Sequence, residues 1–261
     1  MDVIQCPSII FTANKGGTGK SLKAINTAIR LSKYFKVALL DADVDASNMC
    51  YTLGISGPMK LTDKQLFIPA DYKGIKVMSV GLFQKGVITM CKTGIETNRI
   101  VRDMIKNTVW GDIDVLVVDA PAGVADKWHG ILESGVNLAG VIIVSQPTTY
   151  DDCYRIIEMC SRFGIPIMGI IENMVGAVWS DGTPVLDKDG RPFVPLGEPE
   201  GDRDIEALAK KFGVRYLGAI PLVENMYGRI KSGNPVLPDS VLGPIDSIVD
   251  MMKYILDKKE G

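Results

Sequence analysis

The sequence predicts an α/β fold: a mostly parallel sheet, covered by helices on both faces, forming a single domain over residues 1–261. Three observations carry this. Apolar runs of strand length recur along the chain and alternate with segments of helical periodicity. Several runs are apolar on both faces, as interior strands of a parallel sheet are. Their spacing fits crossover connections, and no linker separates a second core.

The elements follow in order. Residues 9–13 (IIFTA) read as the first strand, and Leu22, Ile25, Ile29 and Ser32 mark a helix ending near Tyr34. Between them lies Asn14-Lys15-Gly16-Gly17-Thr18-Gly19-Lys20-Ser21. A glycine-rich loop between strand and helix can turn its N–H groups inward around a phosphate chain, and the helix N-terminus adds partial positive charge. In such a loop Lys20 reaches the β- and γ-phosphates, and the Ser21 hydroxyl ligates Mg²⁺. The plain motif wants glycine where this chain has Asn14, and Lys15 is an additional cation.

Residues 36–41 read as the second strand, running into Asp41-Ala42-Asp43-Val44-Asp45 at the end where parallel sheets present ligand loops. Residues 54–75 mix Gly, Pro and Lys and read as surface connection. Residues 74–81 give another strand, and a helix is expected around 98–109, with Ile100, Val101, Met104 and Ile105 inward. Residues 113–119 (IDVLVVD) close on Asp119, where a carboxylate would orient Mg²⁺ or its waters. The small-residue loop 120–126 can approach a γ-phosphate and move when it leaves. Further strands are expected at 141–144, 167–173 and 216–220, with helices at 152–163 and 202–212. Two Asp-Gly dipeptides suggest a hairpin-like insertion at about 176–196, and Ile245, Ile248, Val249, Met252, Ile255 and Leu256 mark a packing helix at about 244–257.

Composition narrows the function. With 46% hydrophobic and 23% charged residues the chain can build a sizeable core. A formal charge of −2 argues against a general nucleic-acid surface, and no apolar run approaches the ~20 residues of a membrane span. No signal peptide is visible, so a cytoplasmic location is expected. The five cysteines (Cys6, Cys50, Cys91, Cys153, Cys160) are scattered, with no C-x-x-C, and read as inert thiols.

The loop K-G-G-x-G-K-S, with its second lysine, resembles the deviant Walker A motif of the MinD/ParA/Mrp/nitrogenase-iron-protein family of P-loop NTPases. The blocks at residues 74–82, 109–126, 167–174 and 217–237 resemble the Mrp branch, the ATP-dependent iron–sulfur carriers. The resemblance implies a dimeric, Mg²⁺-dependent ATPase, slow and stimulated by a partner, that serves iron–sulfur cluster or metallocentre maturation. The loop residues 14–21 would hold ATP or ADP, with Lys15 reaching the phosphates of the partner subunit. Lys15, Lys20 and Asp43 would be catalytic, Asp43 by orienting the attacking water. Ser21, Asp43 and Asp119 would hold the metal. Asn173 would hydrogen-bond adenine, with Pro221 and Leu222 near the base. Asn173 could also simply cap a turn.

One departure stands out. Mrp-type carriers place C-x-x-C just after the Glu-Asn-Met block, whereas this chain has Val178-Trp179-Ser180-Asp181 there. Serine and aspartate are poor ligands for a cluster that wants soft thiolates, so this segment supplies no cluster site. The competing outputs are a positioning ATPase of the MinD or ParA kind and a nucleotide-binding regulatory subunit. The acidic residues of the C-terminal helix speak against membrane binding. His129 is read as a surface or helix-start residue. Trp179 either anchors a protein client or packs back on the sheet.

Overall fold

The computed structural model describes residues 4–83, 93–123, 125–197 and 203–260; Cys91 lies outside them. The chain begins with β1 (Pro7–Thr12), buried throughout, which passes through the glycine-rich loop into α1 (Lys20–Leu31). Next come β2 (Val37–Asp41), the short α2 (Met49–Leu53), a small antiparallel pair β3 (Lys60–Leu61) and β4 (Phe67–Ile68), then β5 (Ala70–Tyr72) and β6 (Ile75–Ser79). Then follow α3 (Gly94–Asn107), β7 (Val115–Asp119), α4 (His129–Leu132), β8 (Asn137–Ser145) and α5 (Tyr150–Phe163). The chain finishes with β9 (Ile167–Val178), α6 (Ile205–Lys211), β10 (Tyr216–Val223), α7 (Met226–Lys231) and α8 (Gly243–Glu260).

Eight strands form one sheet in the order β10-β9-β8-β1-β7-β2-β6-β5, parallel except for the antiparallel pairing of β5 with β6. Alternate residues of each strand feed opposite faces. Ile10, Leu40, Val118 and Ile143 face one core with α3, α5 and α6 residues, while Ile9, Leu39, Val117 and Ile171 face a second core with α1 and α8 residues. Each such buried side chain contributes about 1.5–3 kcal/mol.

Three expectations need correction. Residues 54–75 are not all surface connection, because β5 pairs with β6 and closes one edge of the sheet. The third helix starts at Gly94 rather than near 98, because Thr93 and Glu96 form a reciprocal capping box. On α1 the buried face holds Ala24, Ile25, Ala28 and Leu31, whereas Leu22 and Ile29 are half-buried. The helix is wedged between sheet and α8, so two of its sides are covered. Arg30 of α1 pairs with Asp246 of α8 (2.6 Å) and with Asp239 (2.8 Å), and Asn26 donates to the Pro235 carbonyl and accepts from the Leu237 N–H.

Beyond Asn173 the ninth strand runs on to Val178, further than the sequence suggested. Its continuation folds back through bridges Val178–Pro184 and Leu186–Pro192, and Trp179 on this turn is 47% exposed.

Candidate nucleotide site

Parallel strands deliver their following loops to one end of the sheet. Register lines up Ser79 of β6, Asp41 of β2, Asp119 of β7 and Phe11 of β1 in one row. The glycine-rich loop leaves β1 just beyond this row. Gly17 (φ 81°) and Gly19 (φ 82°) adopt left-handed backbone that side-chain-bearing residues avoid. No side chain caps the first turn of α1, so its N–H groups face the loop without an intramolecular acceptor from a capping side chain.

Lys20 is buried and forms a short ion pair with Asp119, with Asp43 Oδ2 4.0 Å from its ammonium. Burial raises the Asp43 carboxyl above the ordinary range despite the Lys20 charge. Asp41, which carries no role in the sequence reading, is buried beside Asp119 and accepts hydrogen bonds from Ser47 (2.6 Å) and Ser79 (2.8 Å). Burial, then the Asp119 charge, pushes its carboxyl up to about 6. Ser21 is half-buried in the first turn of α1, one residue from Lys20.

On the far side of the loop, Asn173 is buried at the middle of β9 and donates from Nδ2 to the Thr18 carbonyl (2.7 Å). It is a loop-gripping residue in this structure. Pro221 and Leu222 follow Ile220, the register partner of Asn173 on β10; Pro221 is half-buried and Leu222 exposed. Asn14 and Lys15 turn toward α5, where both bond Asp152, at 2.7 and 2.8 Å. Gln146 Nε2 donates to the Gly17 carbonyl (3.3 Å).

The structure therefore gathers Asn14–Ser21, Asp43, Asp119 and Asn173 around one loop. It adds three residues the sequence did not flag, Gln146, Asp152 and Lys23, and sets Asp41, named there only among the carboxylates at the strand end, beside Asp119. Gln146 and Asp152 meet the loop through contacts that join distant parts of the chain. Lys23 lies off the Leu22/Ile25/Ile29 stripe read from the sequence yet is buried, and burial pushes its ammonium down to about 7.

Oxygen donors suit a hard cation, and Ser21, Asp43 and Asp119 are such donors. Among the described residues no group of three or more His, Cys, Asp and Glu could hold a metal ion alone. The thiols present a different picture. Burial pushes Cys153 and Cys160 up to about 12 and also raises Cys50, and Cys6 is half-buried. His129 is a surface side chain 3.7 Å from Glu133.

Among known proteins, an iron-sulfur cluster carrier protein of Methanocaldococcus jannaschii is 32% identical over 97% of this chain and 85% of its own length. An Arabidopsis thaliana mitochondrial iron-sulfur protein required for NADH dehydrogenase is 32% identical over 89% of this chain and 72% of its own. The fold is shared with an ADP-bound nucleotide-binding protein of Archaeoglobus fulgidus (TM-score 0.68, 24% identity, covering 87% and 86% of the two chains). It is shared too with the cell division ATPase MinD of Pyrococcus furiosus (TM-score 0.66, 17% identity, 95% and 99%). The family described as ParA, NUBPL iron-transfer P-loop NTPase, matches residues 6–255, nearly the whole chain. On that match, and with the phosphate-loop architecture above, this chain belongs to the ParA/NUBPL iron-transfer P-loop NTPase family.

Proposed function

We propose that the chain is a Mg²⁺-dependent, ATP-hydrolysing homodimeric switch that acts as one domain in iron–sulfur cluster or metallocentre maturation. The observation that carries this reading is the Lys20–Asp119–Asp43 arrangement set against the uncapped N-terminus of α1. A triphosphate laid along the loop would draw Lys20 from Asp119 to its β- and γ-oxygens, exchanging one anion for another. Ser21, Asp43 and Asp119 would then hold Mg²⁺, which supplies charge neutralisation at the phosphates when bound. Asp43, whose side chain is 18% exposed, can orient a water for in-line attack on the γ-phosphorus. The new P–O bond forms as the bond to ADP breaks, and the water's proton leaves with phosphate or solvent. Lys15 would complete the partner subunit's site. Asn173, Pro221 and Leu222 would border the base.

The maturation reading rests on the family and on relatives named as iron-sulfur cluster carrier proteins. The thiols among the described residues form no ligand set, so in this reading any cluster the chain handles would be cargo with ligands from a partner protein. The test is phosphate release with ATP and Mg²⁺, with and without chelator, alongside light scattering for the dimer. Mg²⁺-dependent release above the level of Lys20→Ala supports the reading. Absence of nucleotide binding overturns it. Sedimentation with anionic vesicles or DNA in the presence of ATP would instead favour a positioning ATPase.

A further inference from the structure

Three consecutive carbonyls of the phosphate loop are each tied down by a donor outside it. The Gly17 carbonyl accepts from Nε2 of Gln146, the residue after β8 (3.3 Å), and the Thr18 carbonyl from Asn173 Nδ2 on β9 (2.7 Å). The Gly19 carbonyl accepts from the Lys23 N–H of α1 (3.2 Å). A trans peptide is planar and sets its C=O and N–H in opposite directions. The N–H groups of Thr18, Gly19 and Lys20 therefore point away from these three holders. Left-handed Gly17 and Gly19 flank Thr18, which is not left-handed, and such alternation turns successive N–H groups into one anion-binding concavity. Gln146 is itself held. Its Nε2 also donates to Met174 Sδ (2.8 Å), its main-chain N–H donates to Thr149 Oγ1 (2.8 Å), and its carbonyl accepts from the Thr149 N–H (2.9 Å).

Resting on the nucleotide reading above, we infer that Gln146 is a positioning residue for the polyphosphate chain. It holds the Gly17–Thr18 peptide with its N–H toward the anion before the anion arrives. Gly17 has no Cβ to oppose a peptide flip, and a flipped peptide would offer the phosphates a carbonyl oxygen instead of a donor. The helix supplies the Lys23 N–H whatever its sequence, so the Gly17 and Thr18 carbonyls are the two that need side-chain donors. A neutral amide suits the Gly17 carbonyl. It carries two N–H groups, one for Gly17 and one for Met174, and brings no charge to the loop. A carboxylate there would repel both the carbonyl and the phosphates. The ligand served in this way is the phosphate chain, whatever base it carries.

The experiment compares dissociation constants of ATP and inorganic tripolyphosphate, each with Mg²⁺, for the full chain and for Gln146→Met, which keeps the side chain's length and removes both donors. Loss of one neutral hydrogen bond should weaken both ligands about fivefold, by the same factor. The melting temperature of the free protein should stay as it is, because Gln146 is half-buried. The Thr18 amide resonance should broaden in the free variant and sharpen again with tripolyphosphate, a signature that a merely structural role would not give. Unchanged affinities, a loss confined to ATP, an unaltered Thr18 resonance, or an equal loss with a lowered melting temperature each overturn the inference while leaving the nucleotide site standing. Failure of the wild-type chain to bind either ligand overturns both.

Discussion

Lys15 Nζ lies 2.8 Å from Asp152 Oδ2, so the extra lysine of the phosphate loop is bound to its own chain. Asp152 is buried while the Lys15 side chain is 63% exposed. Burial works against the Asp152 charge, but hydrogen bonds from Lys15 and Asn14 hold its carboxyl below the usual range. A lysine that is to serve a second subunit must first leave this carboxylate.

Exchange of that bond for a contact across a dimer predicts two separable phenotypes. Lys15→Ala should keep most nucleotide affinity and lose turnover; unchanged turnover would remove the lysine from the partner's site. Asp152→Asn should release the lysine and favour ATP-dependent dimerisation. An ion pair with one exposed partner is worth at most about 1 kcal/mol, so the midpoint should fall up to about fivefold. Light scattering across concentration reads this directly, and an unmoved midpoint would show that the pair is no brake.

Lys20 is the counter-charge for a row of carboxylates as well as a phosphate ligand. Removing it leaves Asp119 buried beside Asp41 without a cation. Lys20→Ala should therefore abolish phosphate release and also lower stability without nucleotide, by about 3 kcal/mol before a carboxyl takes up a proton in compensation. Chemical denaturation of the free protein measures the second effect, and an unchanged midpoint would argue against the buried pair.

The cysteines give a pH signature. Burial raises the Cys153 and Cys160 thiols from 9.0 to about 12, so the folded chain keeps protons that the unfolded chain releases. Their contribution to stability is full below pH 9 and disappears as pH climbs from 9 to 12. Replacing both with alanine should flatten that part of the stability curve relative to the wild type. At pH 8 neither should react with a thiol reagent until the protein unfolds. Anaerobic reconstitution with iron and sulfide should likewise leave the isolated chain without a stoichiometric cluster; a full complement would show that its cysteines do serve as ligands.

Gly130 tests the packing of α4 against α3. A Cβ there would stand 2.2 Å from the Asn98 carbonyl oxygen on α3. Because the obstacle is backbone, α3 and α4 must separate, and Gly130→Ala should cost about 1–3 kcal/mol. A thermal melt equal to wild type would show that the two helices yield freely.

Much of the sheet was legible because its strands carry their own signal. The run ending in Asp119 is apolar on both faces and stops on a carboxylate, and it stands next to β1 and β2 as such runs do. The phosphate loop was legible because glycine spacing and two lysines are local facts. Asp152 was not, since its bond to Lys15 joins the first loop to the fifth helix, 137 positions along the chain. Lys23 was obscured for a different reason. The periodicity of Leu22, Ile25 and Ile29 puts its position on the outer side of the helix, whereas the buried face is turned toward Ala24, Ala28 and Leu31. The continuation of β9 past Asn173 escaped notice because Gly176 and the polar turn after it look like a loop.

The clasp between Arg30 and the acidic residues Asp239 and Asp246 makes α1 a rod fixed at its far end. The rod is twelve residues, about 18 Å, and its other end carries Lys20 and Ser21. The C-terminal helix and the phosphate loop thus share one rigid support, the first helix, which meets one of them at each end.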